Sequence, residues 1–172
     1  MLIPSGGWLP HPEVGGAAGQ QLVEQLPVAV PARIEVPAIG ITAPMRPVGL
    51  DDRGGLDVPV GGGTGWFERS SRPGEPGFAV IGGHVDSTRG PDVFYRLREL
   101  VAGNEIVVRT ADGEVLTFRV DTVERQRKDA LSTSRMWDDA DRPMLALITC
   151  GGPFDRAKRT YRDNVIVYAS AV

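Results

Sequence analysis

Glu105-Ile-Val-Val-Arg-Thr-Ala-Asp-Gly-Glu-Val-Leu-Thr-Phe-Arg-Val-Asp121 contains two alternating runs around a turn signal. Ile106 and Val108 oppose Val107, while Leu116, Phe118 and Val120 oppose Val115, Thr117, Arg119 and Asp121. A period of two places successive side chains on opposite faces of a strand, so each run sends one face to a core. Between them, Ala111-Asp112-Gly113 offers residues that tolerate a positive φ, and the two strands are expected to pair as an antiparallel hairpin. Further short β-rich runs lie on either side, cut by Gly, Pro and Asp: 33–36, 39–43, 55–58, 78–82, 144–150 and 164–169. Eight short strands predict a mainly β protein, a closed or nearly closed eight-stranded β-barrel. Two short helices decorate it, Asp92–Leu100 with Phe94, Leu97 and Leu100 on one side, and Asp129–Trp137.

Ahead of the first strand, residues 1–31 are dense in Pro and Gly and are read as a tail or linker, with residues 32–172 as one domain. Among the 172 residues, 41% are hydrophobic and 24% charged, which excludes a wholly disordered chain. The net charge of −3 comes from interspersed acids and bases, without the basic block that phosphate-backbone binding needs, so nucleic acid is not expected as a partner. No run of about 18 apolar residues is present. The single cysteine leaves the fold to its core rather than to a disulfide.

Three residues stand out. The apolar strand Met144-Leu-Ala-Leu-Ile-Thr-Cys150 ends abruptly at Gly151-Gly152-Pro153, placing the thiol where a strand surfaces into a loop. Position alone leaves Cys150 balanced between a buried small hydrophobe and a nucleophile flanked by glycines that let a substrate backbone approach. Phe78-Ala-Val-Ile-Gly-Gly-His84 repeats the pattern, and His84 ends an ordered strand, unlike His11 in the Pro/Gly tail. If both strand ends reach one rim, imidazole and thiol can cooperate, since an imidazole titrates at about pH 6.5 and a thiol at about 8.5, and an adjacent imidazolium favours thiolate. Arg162 enters the last strand and offers five donors in a fixed fork, suited to a peptide carbonyl or an oxyanion. Arg156 and Arg159 are equally available to that reading.

The combination resembles the sortases. Gly83-His84, Ala146-Leu147-Ile148-Thr149-Cys150 and Tyr161-Arg162 match that family's motifs in order, spacing and strand placement, over about residues 33–169. Gly82-Gly83-His84-Val85-Asp86-Ser87, Val93-Phe94-Tyr95-Arg96-Leu97, Thr149-Cys150-Gly151-Gly152 and Tyr161-Arg162-Asp163-Asn164 are most like the class F branch of actinobacteria. Ala146 departs from the family, which often has threonine there. The resemblance implies an eight-stranded sortase barrel and separates Arg162 from the other two arginines. It implies a cysteine transpeptidase that cleaves an LPXTG-like sorting signal at Thr-Gly through a thioester on Cys150, with His84 protonating the leaving amine and Arg162 supporting the oxyanion. An amine on a peptidoglycan precursor, a pilin lysine or another acceptor then resolves the acyl-enzyme, and water gives slow hydrolysis. No cofactor is implied. Such enzymes work outside the cytoplasm at the cell surface and are usually tethered by an N-terminal membrane helix, which would lie ahead of this stretch.

Supporting roles are expected of Thr149, beside the nucleophile, and of Asp86, placed to orient His84 or to cap the following turn. Met136 and Trp137 are candidate apolar groove contacts or core residues. The Asp51-Asp52 pair and Asp138, Asp139 and Asp141 lack the ligand ladder of a calcium loop and read as solvated acids, so no metal is expected. Two other readings compete: an inactive peptide-binding barrel with Cys150 inert in the core, and an L,D-transpeptidase. The latter's motif has Gly before the cysteine, where Thr149 stands here.

Overall fold

The computed structural model describes residues 29–130 and 140–172. The elements follow in the order β1 (Pro31–Val36), β2 (Ile41–Val48), β3 (Thr64–Phe67), β4 (Gly77–Gly83), β5 (Asp86–Ser87), β6 (Gly90–Pro91), β7 (Glu105–Thr110), β8 (Val115–Arg127), β9 (Pro143–Asp155) and β10 (Thr160–Ala171). Eight of them close a barrel in the order β1-β2-β3-β4-β9-β10-β8-β7, and β5 and β6 form a separate two-stranded ladder. The β2–β3 and β4–β9 pairs are parallel; the other six contacts around the ring are antiparallel.

The hairpin reading holds. Strands β7 and β8 pair antiparallel with Ile106 opposite Phe118 and Val108 opposite Leu116. Gly113 sits at φ +93°, and its N–H donates to Thr110 O at 3.1 Å. Ile106, Val108, Phe118 and Val120 are buried in the barrel core with Ile34, Val36, Ile81, Leu147 and Val167. On β9 the apolar run has no alternation because both faces are covered. Leu145 and Leu147 enter that core, whereas Met144 and Ala146 join a second cluster with Phe67, Phe78, Val80, Ile166 and Tyr168 on the other side of the wall. Strand β4 is shared between the clusters in the same way. Burial on two faces gives a continuous hydrophobic run. Truncating Ile81 or Leu147, each fully buried, to alanine is expected to cost about 2–5 kcal/mol.

Three expectations are corrected. Residues 55–58 do not form a barrel strand; they contribute one isolated bridge, Leu50 to Leu56. The place in the wall belongs to β3, whose sequence Thr64-Gly65-Trp66-Phe67 carries a glycine of low strand propensity. That glycine is required by packing, since a Cβ on Gly65 would lie 2.7 Å from a Val48 methyl. Residues 37–39 form a 3₁₀ turn closed by Gly40 in the left-handed region rather than the start of β2. Residues 92–100 are turns ending in a 3₁₀ segment, Leu97–Glu99, instead of a helix, although Phe94, Leu97 and Leu100 are buried together as expected. The chain there is held by its start: Asp92 N donates to Val85 O (3.0 Å) and Phe94 N to His84 O (2.9 Å). Of the second expected helix, a 3₁₀ segment at Lys128–Ala130 is described, and residues 131–139 lie outside the described residues.

Candidate active site

The parallel pairing of β4 and β9 decides which groups meet. Their last paired positions are Gly82 and Ile148, so His84 and Cys150, each two residues further along, take equivalent places at the same end of the barrel. An antiparallel pair would have sent them to opposite ends. Thr149 ties the two strand ends together: 5% exposed, it donates Oγ1 to Gly83 O at 2.7 Å. It also borders a cavity beside Cys150.

His84 is half-buried, with Nε2 3.0 Å from Val58 O. A carbonyl only accepts, so Nε2 carries the proton in this arrangement. The loop that supplies Val58 is pinned by Asp92, whose carboxylate accepts N–H from Gly62 (2.8 Å), Gly61 (3.2 Å) and Val93 (2.7 Å). Burial pushes the Asp92 carboxyl up, but these three N–H donors and the charge of nearby His84 outweigh it and hold it below its ordinary value. Asp92 was missed in the sequence, where it looked like a helix start. Its partners lie about thirty residues upstream in a glycine run, and no local pattern joins them.

The glycines beside both residues are filled by the protein itself. A Cβ on Gly83 would stand 2.7 Å from Phe94 Cγ, and one on Gly151 would stand 2.9 Å from a Val165 methyl. Gly152 has φ +72°, and a Cβ there would run into the Asp163 carboxylate. Asp163 is buried and bridged by Arg125.

Cys150 is half-buried and borders a cavity of about 440 Å³ lined also by Val85, Phe94, Tyr95, Arg98, Glu124 and Arg125. His84 and Arg162 are not among the residues lining it. On its second flank β9 pairs with β10, Asn164 standing opposite Cys150, and the ladder slips between Tyr161 and Asp163. Arg162 occupies that bulge, its side chain 64% exposed and Nε 3.6 Å from Asp155 Oδ2. Arg156 and Arg159 lie exposed in the preceding turn. Asp86 is engaged by a different partner from the one expected: it accepts the Tyr161 hydroxyl, joining β5 to the start of β10. That bond first, then burial and the neighbouring charges, push the Tyr161 phenol up to about 12. The Tyr161 ring also meets Phe154 edge-on at 5.1 Å. Met136, Trp137, Asp138 and Asp139 lie outside the described residues. Asp51 is used locally, accepting N–H from Arg53 (2.8 Å) and Gly55 (2.9 Å).

Compared with known protein families, residues 34–172 match the Sortase domain. The chain belongs to the sortase family. Among solved structures it is similar to sortase A from Corynebacterium diphtheriae (TM-score 0.64, 24% identity, 83% of this chain and 60% of that one). It is also similar to sortase C-1 from Actinomyces oris (0.65, 23%, 82% and 73%) and to the Clostridium perfringens sortase D5 transpeptidase (0.62, 21%, 83% and 79%). At these identities the likeness is one of fold, and this sortase spans three fifths of the length of the diphtherial enzyme. No curated protein matches it. Among the described residues, no helix is long and apolar enough to cross a membrane.

Proposed function

We propose that this sortase is a cysteine transpeptidase of the class F kind, acting at the outer face of the cell on proteins that carry an LPXTG-like signal. The observation that carries the reading is the parallel β4–β9 register, which delivers His84 and Cys150 to one rim and is fastened there by the Thr149–Gly83 bond. Cys150 Sγ attacks the threonine carbonyl carbon, a tetrahedral oxyanion forms, and the C–N bond breaks as the protonated His84 gives its proton to the leaving glycine amine. The product is a thioester on Cys150. An incoming amine loses a proton to His84, attacks the thioester carbon and releases the thiolate. Arg162 swings from Asp155 to the carbonyl oxygen as substrate arrives, a movement suited to its exposed place in the bulge. Amine acceptors of the peptidoglycan-precursor or pilin-lysine type complete the transfer.

The half-buried thiol at the edge of a cavity favours this reading over an inert core cysteine. The test incubates the chain with an LPXTG-type peptide and a small amine. Ligated product and a peptide adduct on Cys150 by mass spectrometry are expected, with neither from Cys150→Ala. Equal turnover by that variant defeats the proposal.

A further inference from the structure

We infer that Lys128 is a further catalytic residue, the cation that faces the Cys150 sulfur. This rests on Cys150 being the nucleophile. Lys128 follows the last residue of β8, and the register across β8, β10 and β9 sets Gln126, Asn164 and Cys150 in one row. From two residues beyond that row its side chain reaches back, placing Nζ 3.4 Å from Cys150 Sγ and 3.1 Å from Thr160 Oγ1. The hydroxyl fixes the ammonium; the sulfur is what it is aimed at.

Arg98 lies over the Tyr95 ring, and three arginines on β8 and β10 are committed to acids. Arg125 bridges Asp163, Arg127 grips Asp129 with Nε at 2.9 Å, and Arg162 leans on Asp155. Each sits against a carboxylate that offsets its charge. Among the described residues Lys128 instead contacts a hydroxyl and the sulfur, so its positive charge is directed at the reacting atom.

An ammonium at that distance stabilises the sulfur anion before attack and again when the thiolate is released. As Sγ bonds to the carbonyl carbon, the negative charge moves to the carbonyl oxygen, next to the same ammonium. No proton passes through Lys128 in this scheme; the proton for the leaving amine comes from His84. Because Lys128 is exposed, its influence is screened by salt. No local pattern joins it to Cys150, which lies 22 residues away.

The test compares alkylation of Cys150 in the intact chain by anionic iodoacetate and by neutral iodoacetamide at neutral pH. A cation at the sulfur favours the anionic reagent. Lys128→Met is expected to lower the iodoacetate-to-iodoacetamide rate ratio by about three- to ten-fold, Lys128→Arg to restore most of it, and 1 M salt to bring the wild type towards the Met variant. Lys158→Met, which alters an exposed lysine in the neighbouring turn, leaves the ratio unchanged. An unchanged ratio in Lys128→Met overturns the inference, as does recovery of the sorting peptide on Lys128 itself, which would make it an acceptor. The alkylation ratio does not depend on turnover, so its failure is distinct from failure of the nucleophile assignment, which Cys150→Ala tests alone.

Discussion

The two flanks of β9 at Cys150 are built differently. On the β4 side the pairing is parallel and three carbonyls near the rim have fixed partners: Gly83 O takes the Thr149 hydroxyl, His84 O takes the Phe94 N–H, and Val58 O takes the imidazole. On the β10 side the ladder slips at Arg162, Phe154 is half exposed, and the arginine holds Asp155 across 3.6 Å. In the proposed mechanism, therefore, the proton-transfer group His84 is positioned before substrate arrives, while Arg162 is positioned by substrate. Preorganised groups cost no rearrangement at the moment of reaction; mobile ones draw on binding energy.

The largest test of this asymmetry is catalytic. His84→Ala is expected to lower kcat by about 10²–10⁴-fold with little change in KM, as loss of a positioned acid–base group does. Arg162→Ala should lower kcat by about 10²–10³-fold and raise KM as well, because its interaction forms with the substrate. Steady-state kinetics with one peptide and one amine separates the two patterns, and a pure kcat effect at Arg162 would erase the distinction between the flanks.

A smaller effect falls on stability. Gly83→Ala drives a Cβ into the Phe94 ring and is expected to cost about 1–3 kcal/mol. Arg162→Ala, on the open flank, should stay within about 0.5 kcal/mol. Urea unfolding of the pair reads the comparison directly, and equal losses would show the β4 flank to be no tighter than its counterpart.

The smallest effect is alkaline. The Tyr161 phenol is raised to about 12 in the folded chain against an ordinary 10. The folded state therefore keeps a proton that the unfolded state gives up, and this stabilisation is present below pH 10 and fades as the pH climbs to 12. Tyr161→Phe should lack that loss, so its melting temperature should fall less steeply than the wild type's between pH 10 and 12. Parallel slopes would mean that the Asp86–Tyr161 bond does not brace the rim.

Much of the wall was legible because periodicity is local. The β7–β8 hairpin could be read from alternation and one Asp-Gly turn, and the doubly covered β4 and β9 from unbroken apolar runs. Strand β3 escaped because Gly65 is chosen for clearance against Val48, a neighbour on another strand, and such a choice depresses the local strand signal. The Gly-His and Thr-Cys endings of two such runs marked the candidate site. Asp92 and Lys128 stayed hidden because their meaning lies in partners that only the barrel brings close. Arg162 was separable from Arg156 and Arg159 by family resemblance, not by chemistry, which is the same for all three.

Closure of the barrel sets the grammar of recognition. Every one of the eight wall strands has a neighbour on both sides over part of its length, while β8 beyond Val120 and β9 beyond Ile148 run past the ends of β7 and β4. A peptide added as a further strand would have to pair with those overhanging ends rather than with the closed wall. Under the proposed function, selectivity falls also to the side chains around the cavity, Tyr95, Arg98, Glu124 and Arg125 among them. A chain of this shape can change its preferred signal by exchanging a few rim residues while the wall beneath stays the same.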